Sequence, residues 1–495
     1  MNAADVQAML PLIVTAAAAV AVMLAIAIRR SHRACAVLAA LGLAAAIGLL
    51  PVAAAAAPRE ISSMLMIDRF ALYYIGLVLA GSLAVVMISQ PYFVAVGRGG
   101  DLMPEEYYVL VLLAASGAGV LAASSHFASF LLGLEILSVS LFAMIAYRRD
   151  QAAALEAGIK YLLLAGVSSA MLVFGMALVY AARGTMHLTQ LAHGGAGVLM
   201  FAGMAAMTVG IGFKLAVVPF QFWTPDVYQG SSAPVAALVA TVSKGAIFAL
   251  LVRYFWQMGS GTAFPGGDGA TGWNANATGG PVFWTFAVIA VASMFAGNLL
   301  ALQQDNVKRI LAYSSIAHMG YLLVAFLAAG RLAAQAVGIY LAAYFVAKIG
   351  AFAVVAAMSN SEGETQQVRD YRGLAWRRPW LAAAMTAMLL SLAGLPLTAG
   401  FVGKFYVVAA GAGRGLWTLA VILIINSAVG LFYYLRVISE MFRPAWETDA
   451  SPQAAGPDLP RVAWPTAAAL CVLSAALVAI GVYPQPLLAV IGLLP

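Results

Sequence analysis

The most informative residues in this chain are its lysines. Lys160, Lys214, Lys244, Lys348 and Lys404 each stand inside a long apolar run, and they are five of only six lysines among 26 basic residues. The arginines fall instead in polar connections or at the ends of apolar runs. Chemistry separates the two. A guanidinium stays charged at any realistic pH, whereas a desolvated amine can cycle between charged and neutral forms. Burying either ion at the centre of a bilayer costs at least about 2.5–3.5 kcal/mol. A series of titratable amines at membrane depth is the arrangement that proton relay needs. For Lys160, near the start of its run, a second reading stays open: the side chain can snorkel to the membrane surface.

Glu135, in Gly133-Leu134-Glu135-Ile136, is the one carboxylate deep in an apolar run. A buried carboxylate must find a cation or become neutral, and Lys214 is its expected partner. Such a pair serves either as a proton-loading switch or as a static ion pair that fixes packing. His318 lies among hydroxyls in Tyr313-Ser314-Ser315-Ile316-Ala317-His318. It suits proton transfer near neutrality, or equally a neutral hydrogen bond between helices.

The rest of the composition says what must position these groups. The 495 residues are 63% hydrophobic and 9% charged, with a mean hydropathy of +0.94. So little charge cannot cover a soluble surface. Fourteen apolar segments are each long enough to cross a bilayer: 7–28, 34–57, 70–96, 107–123, 127–147, 157–181, 197–222, 232–257, 281–303, 308–329, 332–358, 380–410, 416–438 and 463–491. They are continuous rather than alternating, which selects helices over barrel strands. The fold class is therefore an all-α polytopic membrane protein. The first span is not a cleaved leader, because its arginines follow the apolar stretch. Most loop arginines, among them Arg29, Arg30, Arg33, Arg98, Arg148, Arg149 and Arg461, follow odd-numbered spans. The positive-inside rule puts those loops in the cytoplasm and both termini outside. The net charge of +7 is then a topology signal, and nucleic-acid binding is excluded. Cys35 and Cys471 are far apart, and the five histidines fit no ligand spacing, so no metal, haem or iron–sulfur site is expected. No glycine-rich dinucleotide motif follows a strand, so no catalytic residue is expected in the chain itself.

Spans seven and twelve are interrupted. The seventh holds Gly212 and then Pro219, with Pro225 just beyond it; the twelfth holds Gly394, Pro396 and Gly400. Broken backbone inside a membrane survives only where it is buried in protein or faces water. Two broken spans five apart point to inverted repeats with the functional site at the breaks. The expected organisation is an N-terminal three-helix segment (1–106), a first five-helix repeat (107–257), a second (281–438), and a loop with a C-terminal helix (439–495).

These residues also carry a resemblance. Gly212-Phe213-Lys214 through Pro219-Phe220, then Trp223-Thr224-Pro225-Asp226-Val227-Tyr228, resembles the broken seventh helix of the antiporter-like membrane subunits. The second stretch has the wording of the subunit N family of proton-translocating NADH–quinone oxidoreductase, respiratory complex I. Lys308-Arg309-Ile310-Leu311-Ala312-Tyr313-Ser314-Ser315 and Leu392-Ala393-Gly394-Leu395-Pro396-Leu397-Thr398-Ala399-Gly400-Phe401 are similar to two further signatures. The resemblance spans residues 60 to 440. It implies fourteen helices, two inverted repeats and proton pumping in a bacterial inner membrane. It also implies redox work done elsewhere: NADH, FMN, iron–sulfur clusters and quinone belong to partner subunits, and the direct partners are other membrane subunits and lipid. It assigns relay roles to Glu135, Lys160, Lys214, Lys244, His318 and Lys404. Two positions depart from the pattern: Gln221 stands where histidine is usual, and Lys348 where lysine is not. A multisubunit cation/proton antiporter, or a scaffold that has lost pumping, would use the same residue types.

Overall fold

The computed structural model describes residues 2–97, 104–192, 197–258, 281–361, 363–444 and 462–491. Arg98, Arg461 and most of the 439–462 connection lie outside the described residues, as does the stretch between the two expected repeats. Apolar, alanine- and leucine-rich sequence makes helix nearly everywhere, because within a bilayer only intrahelical bonds satisfy the backbone.

The order is α1 (Ala3–Ile28), α2 (His32–Gly48), α3 (Leu50–Ala56), α4 (Arg69–Val96), α5 (Glu105–Ala123), α6 (Phe127–Ile145) and α7 (Ala152–Arg183). A two-stranded hairpin, β1 (Arg59–Ile61) against β2 (Leu65–Ile67), separates α3 from α4. Then come α8 (Val198–Leu215), α9 (Trp223–Gly230), α10 (Ala233–Leu238) and α11 (Lys244–Met258). After these lie α12 (Pro281–Leu302), α13 (Val307–Ala328), α14 (Gly330–Met358) and the short α15 (Leu374–Arg377). The chain finishes with α16 (Pro379–Ala393), α17 (Ala399–Gly413), α18 (Trp417–Phe442), α19 (Trp464–Val482) and α20 (Gln485–Ile491).

Thirteen of these stretches are long and apolar enough to cross a membrane, and α16 and α17 are two shorter apolar helices in tandem. The expected breaks are where the sequence put them. The seventh span stops at Leu215, with Ala216 left-handed (φ 60°), and resumes as α9. Pro225 does not break anything: it sits in the first turn of α9, where proline costs no hydrogen bond. The twelfth span stops at Ala393, with Gly394 at φ +87°, and resumes at Ala399.

Gly400 shows how tight the second break is. A Cβ there would fall 1.7 Å from the Ser391 carbonyl oxygen, and the Gly400 N–H donates to Ser391 Oγ at 3.0 Å. Gly400→Ala must push α17 off α16. The expected cost is about 1–3 kcal/mol, read as a lower melting temperature of the detergent-solubilised complex.

Burial identifies the centre of the molecule. The most hydrophobic stretch of the α10–α11 span is 100% buried, that of α13 94% and that of α14 89%, against 33% for α1 and 28% for α19. The first three are shielded from lipid by the other helices, so polar groups on any of their faces meet protein. Between α10 and α11 the chain makes one π-helical turn, Val239–Ser243, which ends at Lys244.

Candidate functional site: buried lysines and their hydroxyl partners

Each central lysine is held by hydroxyls or by backbone carbonyls. Lys244, at the exit of the π turn, is fully buried and donates to Ser315 Oγ at 2.7 Å, with the Tyr228 ring 5.8 Å away. Ser315 also bonds Tyr344 OH at 2.6 Å. Lys348 on α14 is fully buried too, and donates to the Leu311 carbonyl at 2.6 Å and to Ser314 Oγ at 2.9 Å. Ser314 bonds Tyr434 OH. Tyr434 in turn reaches His318 Nε2 at 3.3 Å, and His318 Nδ1 meets Tyr340 OH at 2.7 Å. A continuous chain thus runs Lys348–Ser314–Tyr434–His318–Tyr340, and Lys244 joins the adjacent hydroxyl on α13.

Lys404 completes the series by a different route. The break after α16 leaves carbonyls without intrahelical donors, and Lys404 Nζ takes two of them: Leu392 at 3.0 Å and Ala393 at 2.7 Å. A positive group at a helix C-terminus is also favoured by the backbone dipoles. The same amine donates to Ser427 Oγ at 2.7 Å and lies 5.3 Å from the Tyr321 ring. Between His318 and Lys404, beside Ser391 and Tyr340, is a cavity of about 10 Å³, close to the smallest space that holds one water.

The first break is built differently. Lys214, in the last turn of α8, is buried and donates to Ser138 Oγ at 2.7 Å. Glu135 accepts from Ser169 Oγ at 2.6 Å. The expected direct ion pair between them is not formed: one turn of α6 separates Ser138 from Glu135, and each charge is answered by its own serine. Gln221 is buried in the same break, with its Oε1 meeting no donor among the described residues.

Lys160 departs most from expectation. Its side chain is 42% exposed and pairs with Glu156 at 2.6 Å and Asp226 at 2.8 Å. Asp226 also binds Arg309 at 2.9 Å. The snorkelling reading fits this lysine, which ties α7 to α9 and lies outside the buried hydroxyl chain.

Lys308, the sixth lysine, is fully buried in the first turn of α13. It is paired with Glu364 and donates to the Ser231 carbonyl at 2.5 Å. Glu364 comes from the connection after α14 and also accepts from Tyr92 OH at 2.5 Å and from the Ala233 N–H at 2.7 Å. This one carboxylate joins α4, α13 and the N-terminus of the α10–α11 span that carries Lys244. Other groups escaped the sequence reading. Asn298 gathers Tyr321, Asn426 and Tyr433 behind Lys404. Arg253, buried, pairs with Asp68 at 2.7 Å at the opposite end of α11. Among the described residues no cluster of three or more histidine, cysteine or carboxylate groups could hold a metal.

Comparison with known proteins agrees with this architecture. The family model described as NADH:quinone oxidoreductase/Mrp antiporter, TM matches residues 124–264 and 277–430. NADH-quinone oxidoreductase subunit N of Ectopseudomonas mendocina is 47% identical over 97% of this chain and 94% of its own length. The protein of the same name from Methylococcus capsulatus is 45% identical over 97% and 93%. A chain of respiratory complex I from Thermus thermophilus superposes with a TM-score of 0.79 at 33% identity, over 97% of this chain and 98% of that one. A chain of the Mrp complex from Dietzia superposes with a TM-score of 0.81 at 21% identity, over 99% and 96%, which speaks for the fold alone. Both breaks and every buried lysine fall within matched sequence, and the chain belongs to the NADH-quinone oxidoreductase subunit N family.

Proposed function

We propose that this chain relays protons across the membrane through Lys214, Lys244, Lys348, His318 and Lys404, driven by quinone reduction elsewhere in its complex. The observation that carries this reading is the buried chain Lys348–Ser314–Tyr434–His318–Tyr340, with Lys244 on the neighbouring serine. Hydroxyls and imidazole can each accept one proton while giving up another, so such a chain moves charge without moving heavy atoms far. From Tyr340 the small cavity leads to Lys404. Between Ser138 and Lys244 no hydrogen bond bridges the described residues, so transfer there requires water or a helix movement, and that gap is where gating belongs. Glu135, held near Lys214 without touching it, biases the amine through space.

In this reading α5–α11 and α12–α18 are two inverted repeats, approximately 107–257 and 281–438. Lys214 then stands just before the first break and Lys404 just after the second. Both termini lie on the periplasmic side, and Lys160, Asp226 and Arg309 lie near the cytoplasmic mouth. NADH, FMN, iron–sulfur clusters and quinone are held by other subunits, and this chain contributes no redox group.

The test is Lys214→Ala, with Glu135→Gln beside it, in the intact complex in sealed vesicles. Protons moved per electron should fall while subunit content stays normal, with the larger fall for Lys214→Ala. Unchanged electron transfer and unchanged pumping in both variants would make the chain a scaffold.

A further inference from the structure

On the face that carries most of the loop arginines, the α1–α2 corner, the end of α4, the start of α5 and the α6–α7 corner enclose a cavity of about 870 Å³. Its polar wall presents Arg30, Arg148 and Arg149 with Glu106 and Asp150; its apolar wall presents Leu110, Phe142 and Leu155. The charges do not cancel. Arg30 pairs with Glu106, and Arg148 with Asp150 at 2.5 Å. The Arg148 guanidinium holds the Asp150 carboxyl below the usual carboxylate range, so that pair stays ionised near neutrality. Arg149 is exposed and forms no ion pair with a described carboxylate. Among the described lining residues, three guanidiniums facing two carboxylates leave a surplus of one positive charge.

The second observation lies directly below. Leu155, on the cavity wall, is 40% exposed, and Ile159 and Leu163, each one helical turn further along α7, are 59% and 65% exposed. Spaced by four residues, they share one face and form an apolar track from the cavity toward the middle of the bilayer. A cationic mouth above an apolar track matches a molecule with a phosphate at one end and a hydrocarbon chain at the other.

We propose that this cavity binds an anionic phospholipid carrying one net negative charge. Arg149 is its principal phosphate ligand, Arg30 and Arg148 share the remaining phosphate oxygens, and the Leu155–Ile159–Leu163 track carries an acyl chain. Guanidinium suits the role because its planar donors meet two phosphate oxygens at once. None of Lys214, Lys244, His318, Lys348 or Lys404 lines this cavity, so the site is separate from the buried lysines.

The experiment uses the whole complex in nanodiscs of phosphatidylcholine doped with photoactivatable phosphatidylglycerol. The expected result is labelling of the 142–163 segment that unlabelled phosphatidylglycerol competes away and that glycerophosphate does not. A basic residue near the membrane surface contributes about 1 kcal/mol to such binding, so Arg149→Gln should cut labelling about fivefold, and Arg149→Lys, which keeps the charge but not the planar fork, should restore only part of it. Ile159→Gln should cut it without removing a charge. Equal labelling by a phosphatidylcholine probe, or labelling unchanged in Arg149→Gln, would overturn the proposal. So would competition by glycerophosphate, which would indicate a site for free anions. Cross-linking of this segment to a neighbouring subunit instead of lipid would assign the cavity to a protein contact.

Discussion

Glu364→Ala leaves Lys308 charged, fully buried and without a carboxylate, and the expected result is a chain that assembles poorly. Removing one partner of a buried pair typically costs 3–5 kcal/mol, because the desolvated charge left behind has nothing to answer it. Here the loss is compounded, since Glu364 also accepts from the Ala233 N–H and from Tyr92. The N-terminus of the α10–α11 span would lose its anchor along with the ion. The yield of complex after membrane extraction and its melting temperature are the measurements. Glu364→Gln keeps the acceptor for Ala233 and should be milder. Combining it with Lys308→Met, which removes the stranded charge, should recover much of the stability. A double variant no better than Glu364→Gln alone would mean that the pair contributes little and that the backbone anchor is what counts.

The second large effect concerns transport rather than assembly. Lys244→Ala and Lys404→Ala should each leave electron transfer measurable while protons moved per electron decline. A positioned proton-transfer group contributes roughly 10²–10⁴-fold to a transfer step, so flux through this subunit should fall by about 10²-fold or more. The two variants should differ in one respect. Lys244 donates to a serine that keeps another partner in Tyr344, so its loss leaves no acceptor stranded. Lys404 is the donor for two carbonyls at the end of α16, so its loss should also lower thermal stability. Normal stoichiometry in both variants would remove these amines from the route.

Much of this was legible in the sequence, for identifiable reasons. Span positions follow from apolar length. The breaks at Gly394–Pro396 and after Lys214 follow from the residues that cannot continue a helix. Lys244, Lys348 and Lys404 stood out because nothing else charged lies near them in the chain. What stayed hidden depends on contacts between distant segments. Lys308 looks like a loop charge because Arg309 and Asp305 flank it, and only the folding back of the 359–367 connection encloses it. Lys160 looked buried because its run is apolar, yet Glu156, one turn away, and Asp226 on another helix draw it to the edge. Ser314 and Ser315 were legible only as hydroxyls near His318, and Tyr340 and Tyr434 carried no signal, because hydroxyls are common in membrane helices and their partners lie on other spans. The Glu135–Lys214 pairing failed for a similar reason: sequence gives the two charges but not the serines that intercept them.

The placement of Lys404 has a consequence for how the second break can work. Its ammonium is the counter-charge for the exposed end of α16, and the five residues from Gly394 to Thr398 are all that join that end to the helix bearing the amine. Whatever neutralises the amine therefore also unbalances the hinge, and whatever bends the hinge changes how tightly the amine keeps its hydrogen. The charge on the amine and the placement of α17 against α16 are thus tied through the same short segment.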